Sequence, residues 1–282
     1  MWLDADDVLT DNSRAELIKL KAELDSDIDF VMMPYTTAFD KAGNGIFTFY
    51  RERIIKNSGK YLWKGAIHEA IEISGKVVYA DITVEHRKIK EGEKGRNLRI
   101  FQKLIDSGEK LSPRDEFYYG RELYYNGMPD KAREVLQNFI DSKNGWIKNR
   151  IEAHRVLSLV FQELGKYSEA QDILLKALGL GEMCAELLCD IGESFMKLGN
   201  YTTAAVWYEA ALRQTPDTTG GGFVNPDCYD YIPYIQLCVC YDRLKKYDLA
   251  EMYNQKAGRI KPYQNEYILN KRYFANRKNS KE

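Results

Sequence analysis

The chain has no run of about 18 apolar residues and no basic amino-terminal stretch leading into an apolar one. Neither a membrane span nor a signal peptide is therefore expected, and a cytoplasmic protein is. Histidine occurs only three times, at His68, His86 and His154, so any imidazole chemistry must come from that short list. The five cysteines, Cys184, Cys189, Cys228, Cys238 and Cys240, are odd in number and lack both C-x-x-C spacing and neighbouring histidines. That pattern argues against a zinc site or a disulfide framework and for buried thiols in a reducing compartment. An excess of either charge is also missing. Lys and Arg total 41 against 42 Asp and Glu, a formal net charge of -1, which gives no bulk attraction to nucleic acid or anionic membrane.

What is present is ordinary globular composition, 44% hydrophobic and 29% charged over 282 residues, enough for one large domain or two ordinary ones. Tyrosine, used 20 times, falls mostly after Phe117. Residues 1–90 mix short strand patterns with turns. Asp11-Asn12-Ser13 offers a helix N-cap, and Leu17, Leu20 and Leu24 follow at helical spacing. Asp29 to Tyr35 and Ile46 to Arg51 read as strands around the hairpin loop Lys41-Ala42-Gly43-Asn44-Gly45. Shorter strands are expected at Ala70 to Ser74 and Lys76 to Glu85. Residues 91–112 read as a helical connector, with Leu98, Phe101, Leu104 and Ile105 on one face.

After Pro113 the strand signal gives way to an internal repeat over residues 113–282. Gly127 precedes Ala132, Gly165 precedes Ala170, Gly199 precedes Ala204 and Lys245 precedes Ala250, each by five residues. The four turns stand 38, 34 and 46 residues apart, and the longest interval holds the flexible insertion Thr218-Thr219-Gly220-Gly221-Gly222. Around the third turn stand Gly192, Tyr208, Ala211 and Pro216. This half resembles the tetratricopeptide repeat family, whose period is 34 residues. Lys245, Pro129 and Glu116 depart from the pattern, as terminal repeats often do, and Tyr263 to Arg277 reads as a capping helix. The stripe of Tyr118, Tyr119, Tyr124, Tyr125, Tyr201, Tyr208, Tyr229, Tyr231 and Tyr241 reads as solenoid packing, with a peptide or second subunit as the other occupant.

The chemistry-bearing feature is the opening Trp2-Leu3-Asp4-Ala5-Asp6-Asp7. Carboxylates at the carboxyl end of a strand can hold Mg²⁺ or Mn²⁺ against a diphosphate; the same residues can equally form a solvated turn. Leu3-Asp4-Ala5-Asp6-Asp7, Arg51-Glu52-Arg53-Ile54 and Trp63-Lys64-Gly65-Ala66-Ile67-His68-Glu69 resemble the carboxyl-terminal half of a family 2 glycosyltransferase of GT-A fold. A tetratricopeptide array after such a domain is a recurrent bacterial arrangement. The resemblance implies a partial α/β GT-A domain over 1–90 followed by an all-α solenoid. It implies metal-dependent transfer of a sugar from a nucleotide-diphosphate sugar to a protein, peptide or saccharide acceptor.

Within it, Asp6 is the implied metal ligand, with Asp4, Asp7 and His86 in support. Glu69 is the implied base and His68 a metal or phosphate contact, or a partly buried residue at a strand end. Arg51 and Arg53 could reach phosphate or form a solvated face, and Trp63 could stack on a sugar or base or pack a loop. With Asp4 so near Met1, the resemblance implies the second half of an enzyme or the product of a truncated or split reading frame; such a chain is expected to bind sugar nucleotide poorly alone, and a complementing polypeptide could restore the site. The other reading is a non-catalytic interaction scaffold whose repeats bind a protein partner or second subunit.

Overall fold

The computed structural model describes residues 1–39, 43, 45–88, 93–217 and 221–279. Of the expected loops, Lys41, Ala42, Asn44 and residues 218–220 lie outside the described residues, as do residues 91 and 92 of the expected connector. The chain forms two compact units, Met1–Asp115 with Asp217–Gly222, and Glu116–Pro216 with Phe223–Glu282.

The first unit is built on an antiparallel hairpin of β2 (Phe30–Phe39) and β3 (Gly45–Ile55), numbering β1 (Asp7–Val8) and α1 (Asp11–Glu23) before it. β2 is buried through Phe30 to Thr36, and both its edges are paired. Opposite β3, residues Phe30 to Met32 pair in parallel with β6 (Val77–Tyr79), and Tyr35 and Thr36 with β7 (Val84–His86). Pro34, which has no N–H for a ladder, falls between those two stretches. β1 closes the sheet antiparallel on β7. One face of β2, carrying Val31, Met33 and Tyr35, packs with Leu17 of α1, Ile82 and Val84, as the two-residue period of a strand requires.

Several local expectations shift. The α1 cap is Thr10, whose Oγ1 accepts the Ser13 N–H at 3.2 Å, one residue ahead of the anticipated Asp11. The strand expected over Lys76 to Glu85 divides into β6 and β7. The one over Ala70 to Ser74 shortens to β5 (Ala70–Ile71), paired with β4 (Trp63–Lys64) in a separate ribbon. α2 (Arg96–Asp106) starts after Gly95 at φ +74° and buries Phe101. The acidic residues do not finish a strand: Asp4 and Asp6 precede β1 and Asp7 begins it. The result is a small mixed sheet at the amino-terminal end of a mostly helical chain.

In the second unit, helices run as pairs: α3 (Pro113–Tyr125) with α4 (Pro129–Ser142), α5 (Ile147–Glu163) with α6 (Tyr167–Leu178), α7 (Ala185–Lys197) with α8 (Tyr201–Ala211), and α9 (Tyr231–Arg243) with α10 (Tyr247–Ile260). Each pair turns through the same motif. The residues at 127, 165, 199 and 245 have φ of +74°, +73°, +75° and +61°, and the N–H of each and that of the residue after it close back on the preceding helix. Met128 N bonds Leu123 O, Lys166 N bonds Phe161 O, Asn200 N bonds Phe195 O and Lys246 N bonds Tyr241 O, at 2.8 to 3.0 Å. Lys245 therefore occupies the left-handed position that glycine fills elsewhere. Pro129, the other departure, sits at the first turn of α4, where a missing N–H is tolerated.

Small residues let the paired helices approach. A Cβ at Gly192 would stand 3.0 Å from the ring of Tyr208, and one at Gly120 2.6 Å from Leu136 Cδ2. The capping helix is α11 (Asn265–Asn279), whose Phe274 packs on Cys238 and Ala250. Among the described residues no helix is long and apolar enough to cross a membrane.

Candidate functional site

Asp7 is the centre of the amino-terminal cluster, and its side chain is 0% exposed. Its Oδ2 accepts from Arg53 Nη1 and from the Asp4 N–H, each at 2.9 Å. Its Oδ1 accepts from the Tyr35 hydroxyl at 2.9 Å and lies 3.2 Å from His86 Nδ1. Arg53 arrives there through a β-bulge. Val31 opposes Ile54 and Met32 opposes Glu52, leaving Arg53 as the extra residue. Broken alternation is why the successive residues Glu52 and Arg53 are both buried. The guanidinium carbon lies 4.1 Å from the ring centroids of both Trp2 and Tyr35, and Nε and Nη2 have no hydrogen-bond acceptor.

Burial alone would raise the Asp7 carboxyl, but the Asp4 N–H, the Arg53 guanidinium, Tyr35 and His86 outweigh it and hold the group below its ordinary value. Burial and the bond to Asp7 push the Tyr35 phenol up. Asp6, 3.5 Å from His86 Nδ1, completes a group with Asp7 and His86 whose ligand atoms lie within 4.8 Å of one another. Asp7 has little left to offer a cation, since both oxygens are engaged and a guanidinium stands beside it. Asp6 and His86 remain as candidate ligands, the His86 Nδ1 facing both carboxylates.

The other residues singled out from the sequence divide differently. Asp4 contributes its N–H while the residue itself is exposed. Arg51 pairs with Glu52 at 3.3 Å and lies 5.1 Å from the Trp2 ring. Trp63, on β4, meets Trp2 edge-on at 5.1 Å. His68 and Glu69 lie exposed between β4 and β5, and neither belongs to the Asp6, Asp7 and His86 group. His68 has φ +53°, and its carbonyl accepts from Arg114 Nη2 at 2.7 Å.

In the repeats, the first helices of the pairs lie side by side, α5 on α7 and α7 on α9. Charge runs through this layer. Arg155 donates through Nη1 to Glu152 and through Nε to Asp190 of α7, both at 2.6 Å, which ties two repeats together. Burial raises the carboxyls of Glu152 and Asp190 against the pull of Arg155. Glu186, 2% exposed, turns one oxygen to the Asn225 N–H at 2.7 Å and the other to the Tyr229 hydroxyl at 3.1 Å. The Phe223 ring packs 5.8 Å from that of Phe117, with the Arg121 guanidinium 4.4 Å from its centroid.

None of Glu152, Arg155, Glu186, Asp190 or Phe223 was singled out from the sequence. A signal existed in their spacing: Glu152 and Arg155, and Glu186 and Asp190, stand three and four residues apart, each pair on one face of its helix. The tyrosines mostly pack. Tyr208, Tyr118 and Tyr231 are buried, and Tyr241 stacks on Tyr253 at 5.5 Å while its hydroxyl reaches Glu209 at 2.8 Å. The cysteines are unpaired, four of them buried, and burial pushes the Cys184, Cys238 and Cys240 thiols up to about 12.

A family model described as Tetratricopeptide repeat matches residues 155–218. Among solved structures, BtubC (BKLC) from P. vanneervenii is 21% identical, with 60% of this chain and 75% of that chain covered, at a TM-score of 0.50. YrrB, described as a TPR protein with an unusual peptide-binding site, is 18% identical over 64% of this chain and 85% of its own, at a TM-score of 0.49. PilF of Pseudomonas aeruginosa is 19% identical over 60% and 70%, at 0.46. No curated protein matches.

The helical unit carries tetratricopeptide repeats. The expectation of a metal-dependent glycosyltransferase is overturned: the family that matches is a repeat family, and its match, residues 155–218, falls in the helical half. The local reason is visible at Asp7, whose carboxylate is bound to the fold by four neighbours.

Proposed function

We propose that this chain is a protein-interaction scaffold whose working surface is the layer of first helices α3, α5, α7 and α9. The observation that carries the reading is the charged and aromatic ladder of that layer, Arg121, Glu152, Arg155, Glu186 and Asp190. A solenoid built only to support itself would fill such positions with apolar side chains, because buried charges contribute little net stability and are retained where they set specificity. The partner is a protein or peptide, recognised by hydrogen bonds to these groups.

The test is photocrosslinking from two positions in cells of the source organism. A benzophenone residue at Lys197, whose Nζ reaches Gln162 of the neighbouring α5, is expected to give discrete protein adducts. The same residue at Val206, 59% exposed on α8, is expected to give none. Adducts from neither position, or equally from both, would overturn the reading.

A second site is carried by a separate observation, the convergence of Asp6, Asp7 and His86. We propose that Asp6 and His86 take a divalent cation such as Mn²⁺ or Mg²⁺ there, with Asp7 holding the backbone in place. Calorimetry with Mn²⁺ should show binding that Asp6→Ala abolishes, and equal heats for both proteins would rule it out.

A further inference from the structure

The insertion between α8 and α9 does more than connect them. Other successive pairs are joined by short links, four residues between α4 and α5 and six between α6 and α7. Here α8 ends at Ala211 and α9 begins at Tyr231, and the second part of the link, Phe223 to Tyr229, lies on the first-helix layer. Two helices of that layer, α3 and α7, receive it. Phe223 enters between Phe117 and Arg121 of α3. The Asn225 N–H and the Tyr229 hydroxyl take the two oxygens of Glu186, at the start of α7, and Cys189 Sγ donates to the Cys228 carbonyl at 3.6 Å.

The contacts have the form of peptide recognition. One aromatic side chain fills a slot lined by a ring and a guanidinium, and two residues later a backbone N–H meets a buried carboxylate. A second aromatic hydroxyl closes the same carboxylate. The segment is locally self-consistent too: Pro226 to Tyr229 form a 3-10 turn, with the Asn225 side chain accepting the Asp227 N–H at 3.2 Å. Gly221 and Gly222, at φ +70° and +108°, precede it, so the segment has backbone freedom at its amino end.

We propose that Phe223 to Tyr229 is an internal pseudo-ligand, and that the surface beneath it is a binding site for an extended segment of a partner protein. The segment it fits has an aromatic residue two positions before a free backbone N–H, with a tyrosine following. This rests on the scaffold reading and names its partner chemistry and its regulation. The partner and the chain's own strap compete for Phe117, Arg121 and Glu186, so the intact protein binds weakly until the strap is released.

The probe is a labelled, acetylated peptide spanning residues 221–231, with serine in place of its cysteine. Added to the full-length protein, it should bind the Phe223→Ser, Asn225→Pro double variant about tenfold more tightly than the unsubstituted chain, since the strap withholds the competent state. Glu186→Gln in the released background should weaken that binding about tenfold. Equal binding to the released and unsubstituted proteins, or none to either, overturns the proposal.

Should the double variant lose its helical circular dichroism, the unsubstituted chain serves. Excess peptide should then accelerate hydrogen exchange of the Asn225 amide, and unchanged exchange overturns the proposal equally. Crosslinking from Lys197 separates the two levels: peptide failure with adducts retained removes the pseudo-ligand alone, whereas failure with adducts absent removes the scaffold reading as well.

Discussion

At the scale of single residues, the first unit turns on one buried ion pair. Arg53 and Asp7, both side chains 0% exposed and 2.9 Å apart, have exchanged water for each other and for the rings of Trp2 and Tyr35. Removing one member of such a pair strands the other charge, at a cost of about 3–5 kcal/mol. Asp7→Asn should therefore lower the urea midpoint of this unit sharply. Acid should do the same to the unsubstituted chain. The folded carboxyl titrates below its ordinary value of 3.8, so the unfolded chain takes the proton first. The stabilisation is complete above that value and fades as pH falls through and below it. A variant whose stability kept the same acid dependence as the unsubstituted chain would place the effect elsewhere.

Elements repeat their construction even where the sequence departs from the pattern. The fourth turn keeps the backbone of the other three although Lys245 stands where they have glycine, because the two closing N–H bonds demand a left-handed residue there. A side chain in that conformation costs about 1 kcal/mol or more. Lys245→Gly should relieve it and raise the stability of the helical unit by up to about 1 kcal/mol, read as a higher melting temperature. A lower one would show that the Lys245 side chain supplies a compensating contact. Each pair was recognisable from this spacing of turn and small residue. The bulge at Arg53 was not, because nothing local marks an extra residue in a strand: it appears only when β3 is laid against β2.

For the whole molecule, the division into two units predicts that unfolding is a sum of two processes. Trp2 and Trp63 lie in the sheet-containing unit, while the repeat unit supplies most of the helix. Asp7→Asn should move the fluorescence transition reported by those tryptophans, with Trp146 and Trp207 replaced by phenylalanine in every protein compared. Leu174→Ala, at a fully buried position of α6, should instead move the far-ultraviolet circular dichroism transition by about 2–5 kcal/mol. If each substitution shifted both signals together, the chain would unfold as one cooperative body.

The repeat architecture was determined by the sequence itself, because a solenoid is made of local helix pairs and each carries its own turn, glycine in all but the fourth, its small residue and its apolar period. The roles of the charged residues were not. Asp7 belongs to an acidic cluster that looks like a metal site until Arg53, 46 residues away, is brought against it. Glu186 looks like a helix-surface acid until Asn225 and Tyr229, 39 and 43 residues on, take both its oxygens. Pattern along the chain determines which face of an element is apolar. What a charge does is decided by the partner that tertiary folding sets beside it, since its energy depends on distance and burial.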